Sequence, residues 1–190
     1  MCVILLILEI ALFARQNANM KIDLNIPTGA IFSEDHLYRY ALWRVWKPTR
    51  PIFLQISLNP SKADHRRNDP TVTRGLVRAD RCGFGTFFMA NLYAYVSTDP
   101  KKLLELGPIA VGLETDAYLR LMIDMVMQNP NGRVLCAWGS FPPVKKRAPA
   151  VLAMIPAPYC LGVNADGQPK HPLYVRYDVE MVPLPVLASK

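Results

Sequence analysis

The side chains best suited to chemistry in this sequence lie in one polar loop and at three later points. The loop, Leu58 to Pro70, carries Asn59, Ser61, Lys62, Asp64, His65, Arg66 and Arg67. Asn59 offers an amide donor and a carbonyl acceptor, Asp64 can accept a proton, and the arginines can hold a phosphate. The later points are Asn91 in Asn91-Leu92-Tyr93, Gly139 in Ala137-Trp138-Gly139-Ser140, and His171 in His171-Pro172-Leu173-Tyr174. Each also has a plain structural explanation. Asn59 precedes a proline and is a turn residue type, Asn91 closes an apolar run and must satisfy its amide, and Asp64 and Asp69 suit loop capping. His171, one of three histidines, on its own fits a structural hydrogen bond.

A strand, loop and helix must position the first group. Ile52 to Ser57 is a mostly apolar run suited to a strand buried on both faces, and Asp69-Pro70-Thr71 reads as an N-cap with proline at the first helical position. In open α/β sheets ligands bind beyond the carboxyl ends of the strands, so chemistry is expected at this loop. The helix start adds free N–H groups that can hold a phosphate. His36 to Trp46 alternates aromatic and β-branched residues with Arg39 and Arg44, which predicts a strand with one wet face. Val72, Leu76, Val77 and Ala79 have helical spacing, and Gly83-Phe84-Gly85 ends that helix. Thr86 to Leu92, Arg133 to Trp138 and Pro158 to Gly162 read as further strands. Lys101 to Leu106, Glu114 to Met127 and Val144 to Ile155 read as helices, Pro149 delaying or kinking the last. This alternation predicts one three-layer α/β/α domain over residues 20–190, built on a central, mainly parallel four-stranded sheet.

At 190 residues and 51% hydrophobic, the chain can bury a full core. A net charge of +7 and a pI near 9.4 favour an anionic partner such as nucleic acid, a nucleotide or a membrane surface, and equally fit a basic solvated surface. The basic residues cluster at Lys62 to Arg81 and at Lys145-Lys146-Arg147. Cys2, Cys82, Cys136 and Cys160 are scattered without metal-ligand spacing, so neither a zinc site nor a disulfide framework is expected. No metal or other cofactor is expected. Met1 to Ala14 is almost wholly apolar, but Glu9 interrupts it and a span needs about 20 apolar residues. Residues 1–19 read as an apolar upstream extension or as a helix packed on the body or a partner, and a chain starting at Met20 is expected to do without them. A cytoplasmic protein that does not enter a membrane is expected.

Several motifs together carry a resemblance: LNPSKAD at Leu58 to Asp64, DPTVTR at Asp69 to Arg74, GFG at Gly83 to Gly85, NLYAYVSTDP at Asn91 to Pro100, AWG at Ala137 to Gly139, and HPLY at His171 to Tyr174. From Arg39 to Tyr174 the chain resembles a bacterial and phage family known as domain of unknown function family 1643. The same order of motifs looks, more distantly, like the uracil-DNA glycosylase superfamily. Ser57 to Ser61 is similar to its GINP-type loop, Phe88 to Asn91 to its asparagine-ended strand, Cys136 to Ser140 to its LLWGS-type strand end, and His171 to Leu173 to its HPS-type loop.

The resemblance implies a glycosylase-like fold acting on an extruded pyrimidine base. Asn59 would position water at the sugar C1′, Asn91 would read the base edge, and His171 would stabilise charge on the base oxygen. Gly139 would border the base and Leu173 or Tyr174 would fill the gap it leaves. Ser61 stands where a tyrosine excludes 5-methyl groups, so 5-modified pyrimidines are expected to fit. Asn59 replaces the aspartate of the fastest members, and Asp64 is the candidate for the missing base. Arg66, Arg67, Arg74, Lys145 and Lys146 are candidates for phosphate contacts. The alternatives are a non-catalytic nucleic-acid or nucleotide binder and a small-molecule nucleotide enzyme.

Overall fold

A computed structural model describes residues 20–185, so the expectation about residues 1–19 lies outside the described residues. A mixed α/β fold is built on one seven-stranded sheet. The strands are β1 (Thr28–Phe32), β2 (Arg39–Val45), β3 (Ile52–Ser57), β4 (Thr86–Asn91), β5 (Arg133–Cys136), β6 (Pro158–Cys160) and β7 (Val182–Pro183). The helices are α1 (Pro70–Arg81), α2 (Lys102–Leu106), α3 (Thr115–Met127) and α4 (Val144–Leu152). Short 3-10 turns stand at Gly107–Val111 and Pro172–Tyr174.

The strand order is β1-β2-β4-β3-β5-β6-β7. Parallel ladders join β4 to β3, β3 to β5 and β5 to β6, while β1–β2, β2–β4 and β6–β7 pair antiparallel. The expected four-stranded, mainly parallel sheet is therefore corrected to a larger mixed one. Its margins escaped the sequence because β7 is two residues ending in proline and β1 has a glycine in its five. Neither is long enough to carry a period, and both exist only by pairing with a neighbour.

Two buried clusters lie on opposite sides of the sheet, as side chains alternate along each strand. Leu54, Ile56, Phe88, Ala90, Val134 and Cys136 pack with Leu119, Met122 and Val126 of α3 and Val144, Ala148 and Val151 of α4. Phe53, Phe87, Met89 and Leu135 pack instead with Val72 and Ala79 of α1 and with Val175. Each fully buried large apolar side chain of this kind stabilises the fold by about 1.5–3 kcal/mol.

Helix α1 begins as expected: Asp69 caps it, its Oδ1 accepting from Val72 N at 2.9 Å, with Pro70 next. It ends in a Schellman motif, where Phe84 N–H reaches Ala79 O and Gly83 N–H reaches Asp80 O, both at 3.0 Å. Gly83 has φ +85°, open to glycine at little cost. Pro149 stands inside α4, which starts at Val144 all the same. The wet face expected of β2 is absent: Arg39 and Arg44 are both buried, for reasons found in the loop they support.

Candidate active site

Where β3 and β5 end and α1 begins, a cleft of about 590 Å³ opens. Asn59 and Ser61 enter it from the loop after β3, Asp69 and Thr71 from the start of α1, and Gly139 to Phe141 from the turn after β5. The far wall is Asn164, Lys170, His171 and Tyr174.

Asn59 is tied by its nitrogen. Nδ2 donates to Pro60 O at 3.0 Å and to Ser97 O at 2.9 Å, which leaves Oδ1 as the acceptor of this half-buried amide. His171 is set the opposite way: its Nδ1 accepts from Leu173 N at 3.4 Å, so a neutral ring carries its proton on Nε2. Burial pushes the imidazole below its ordinary range, and the nearby Asp69 carboxylate opposes that only in part. Gly139 makes the approach possible. It has φ +73°, and a Cβ there would stand 3.2 Å from His171 Cβ. Its own N–H donates to Pro169 O at 3.0 Å, holding the strand end against the segment that delivers the histidine.

Asn91 has a different task. It is buried beneath the loop and lies outside the cleft lining, and its Oδ1 accepts from Arg39 Nη2 at 3.2 Å. Arg39 Nη1 donates to Ala63 O at 2.8 Å, so the pair braces the loop from below. Arg44 does the same further along, donating to Asp64 O at 2.6 Å and to Asn68 Oδ1 at 2.8 Å. Buried carbonyls of a loop need donors, and two arginines on β2 supply them. Burial lowers the Arg39 guanidinium to about 10, so it stays charged at neutral pH.

Asp64 is likewise outside the cleft. Its Oδ1 accepts from Arg66 N and Arg67 N, each at 2.7 Å, and these bonds hold its carboxyl below the usual range. A carboxylate so stabilised is a poor proton acceptor. Asp69 is the buried carboxylate that lines the cleft. Because Asp69 already caps α1, its negative charge occupies the place where a phosphate was expected.

The basic candidates divide. Arg74 donates to Pro172 O at 3.3 Å and to Val175 O, and its guanidinium lies 3.8 Å from the Tyr177 ring centroid. It is a clamp on the His171 segment, and Arg78, fully buried, continues that clamp with bonds to Arg176 O and Val179 O at 2.7 Å. Arg66, Arg67, Lys145 and Lys146 are exposed and stand outside the cleft lining. Lys146 borders a neighbouring apolar cavity of about 400 Å³ with Leu103, Leu104 and Pro143. Lys170 is the exposed cation on the cleft wall. Leu173 is exposed beside the cleft, whereas Tyr174, 88% exposed, borders it. Sequence reasoning missed Asn164 and Lys170 because they lie in a loop of no recognisable pattern, and treated Asp69 only as a cap.

Residues 39–173 match a family model described as protein of unknown function (DUF1643). The chain belongs to this family. No curated protein and no solved structure matches it. Among the described residues no helix is long and apolar enough to cross a membrane.

Proposed function

We propose that the protein binds an extruded pyrimidine, 5-substituted ones included, and cleaves its N-glycosidic bond, on a three-layer scaffold of the uracil-DNA glycosylase type. One observation carries the reading. The same cleft holds an asparagine whose nitrogen is committed and whose oxygen is left to accept, and a neutral histidine with Nε2–H left to donate. Such a pair suits a reaction in which water attacks one side of a bond and negative charge develops on the other. Asn59 Oδ1 holds the water. Its oxygen bonds to C1′, the C1′–N bond breaks with its electron pair leaving on the base, and the water proton passes to the Asp69 carboxylate. His171 Nε2–H stabilises the charged base oxygen.

Asn59 cannot itself take a proton, and this favours a second reading in which the cleft binds a base or nucleotide without cleaving it. Incubation with single-stranded and duplex DNA carrying uracil or 5-substituted pyrimidines separates the two. The expected outcome is release of free base, reduced about a hundredfold in Asn59→Ala. Binding with no release, the same in Asn59→Ala, selects the non-catalytic reading.

A further inference from the structure

With Asn91 locked under the loop by Arg39, the cleft still contains one carboxamide besides Asn59. Asn164 sits in the tight turn between Val163 and Pro169, closed by Asn164 N–H to Gln168 O at 2.8 Å and Gly167 N–H to Asn164 O at 2.9 Å. The buried Trp138 donates from Nε1 to Gln168 Oε1 at 2.9 Å, pinning this turn to the end of β5. The side chains above it form a relay. Asn164 Nδ2 donates to Ser140 Oγ at 2.9 Å, and Ser140 Oγ donates to Asp166 Oδ1 at 2.8 Å.

The direction of that relay is dictated by chemistry. A carboxylate has no proton to give, so the Ser140 hydroxyl must spend its hydrogen on Asp166. Its lone pair then faces Asn164, which must present an N–H there. A flipped amide would set Oδ1 against that lone pair. Asn164 Oδ1 is therefore turned away from Ser140, and it accepts none of the described hydrogen bonds. The bond from Ser140 is also the main reason the Asp166 carboxyl lies below its usual range, so the relay keeps its direction at neutral pH.

We propose that Asn164 is the residue that reads the edge of the bound base, presenting Oδ1 to a ring N–H, and that Asp166 and Ser140 fix this polarity. The assignment rests on the base-binding reading above. A fixed amide offers an acceptor and its second N–H in one order only. A lactam edge, with a ring N–H beside a carbonyl, matches that order. An amino-imine edge, with a bare ring nitrogen beside an NH₂, reverses it and meets acceptor with acceptor and donor with donor. Lys170 at the same wall is placed to meet a backbone phosphate without informing the choice of base.

The test uses two single-stranded oligonucleotides that resist cleavage, one carrying 2′-fluoro-2′-deoxyuridine and the other 2′-fluoro-2′-deoxycytidine at the same position. Equilibrium binding of the full chain is expected to favour the first by about tenfold or more. Asn164→Asp, which has no N–H for Ser140, is expected to bring the ratio to near one or below it. Ser140→Ala is expected to relax the ratio while binding persists, because it frees the amide to turn. The ratio is the readout, since a merely structural loss weakens both ligands alike. Equal binding of both by the unaltered protein, or a ratio unmoved in both variants, overturns the assignment and leaves the base-binding reading standing. Binding of neither overturns both.

Discussion

A half-buried imidazole with its proton on Nε2 is useful only while it stays neutral, and partial burial makes His171 resist protonation. Its folded pKa lies below the unfolded value of 6.5, so the unfolded chain binds the proton first as pH falls. The stability this group contributes is present above that value and is lost below it. Urea unfolding at about pH 7.5 and about pH 5.5 is expected to show weaker stability at the lower pH, and a smaller loss in His171→Gln. An equal loss in the variant would remove His171 from the account. Asp64 and Asp166 do not blur this window, because lowered carboxylates lose their contribution only beneath the ordinary 3.8. Asn91 shows the converse at the same scale: the resemblance implies a base reader, whereas its buried hydrogen bond to Arg39 makes it a brace beneath the loop.

At the scale of elements, α1 organises the site from its N-terminal half. Its first turn presents Asp69 to the cleft, and one turn on, Arg74 holds the carbonyls of Pro172 and Val175. The 3-10 turn Pro172–Tyr174 is too short to hold itself in place, so its position is borrowed from the helix. Arg74→Ala removes two hydrogen bonds and the stacking on Tyr177, an expected cost of about 1–2 kcal/mol. Hydrogen exchange should then accelerate across residues 171–177 while the sheet amides stay protected. Unchanged exchange together with a weaker salt dependence of DNA binding would return Arg74 to phosphate contact.

For the whole molecule, the excess of positive charge is the property a polymer meets first. Lys145, Lys146 and Lys170 are exposed at or near the cleft, whereas Arg39, Arg44, Arg78 and Arg147 are buried in structural work. Arg147 pairs with Asp116 and donates to Leu92 O at 2.9 Å. Net charge therefore overstates the binding surface. Affinity for single-stranded DNA should fall with salt, and replacing those three lysines by alanine should flatten the slope of log K against log salt by roughly 2. A slope that does not change would mean that these lysines touch no phosphate.

The sequence by itself determined the interior elements and the stations of the site. Apolar runs ending at polar turns located β3, β4 and β5, and Asp69-Pro70 with Gly83 marked both ends of α1, because capping and burial are local chemistry. The same local signals put Asn59 and Gly139 at strand ends, and the structure brings them with His171, at the head of a 3-10 turn, to one cleft. Only the tertiary structure decided what each polar side chain serves. Arg39, Arg44, Arg74 and Asn91 are matched to loop carbonyls or to one another over separations of 20 to 101 residues. Asn164 gains a fixed direction only because Ser140 and Asp166 meet it in space. Hydrogen-bond partners distant along the chain leave no period in the sequence, so a side chain's type states what it can do and its partner states what it does.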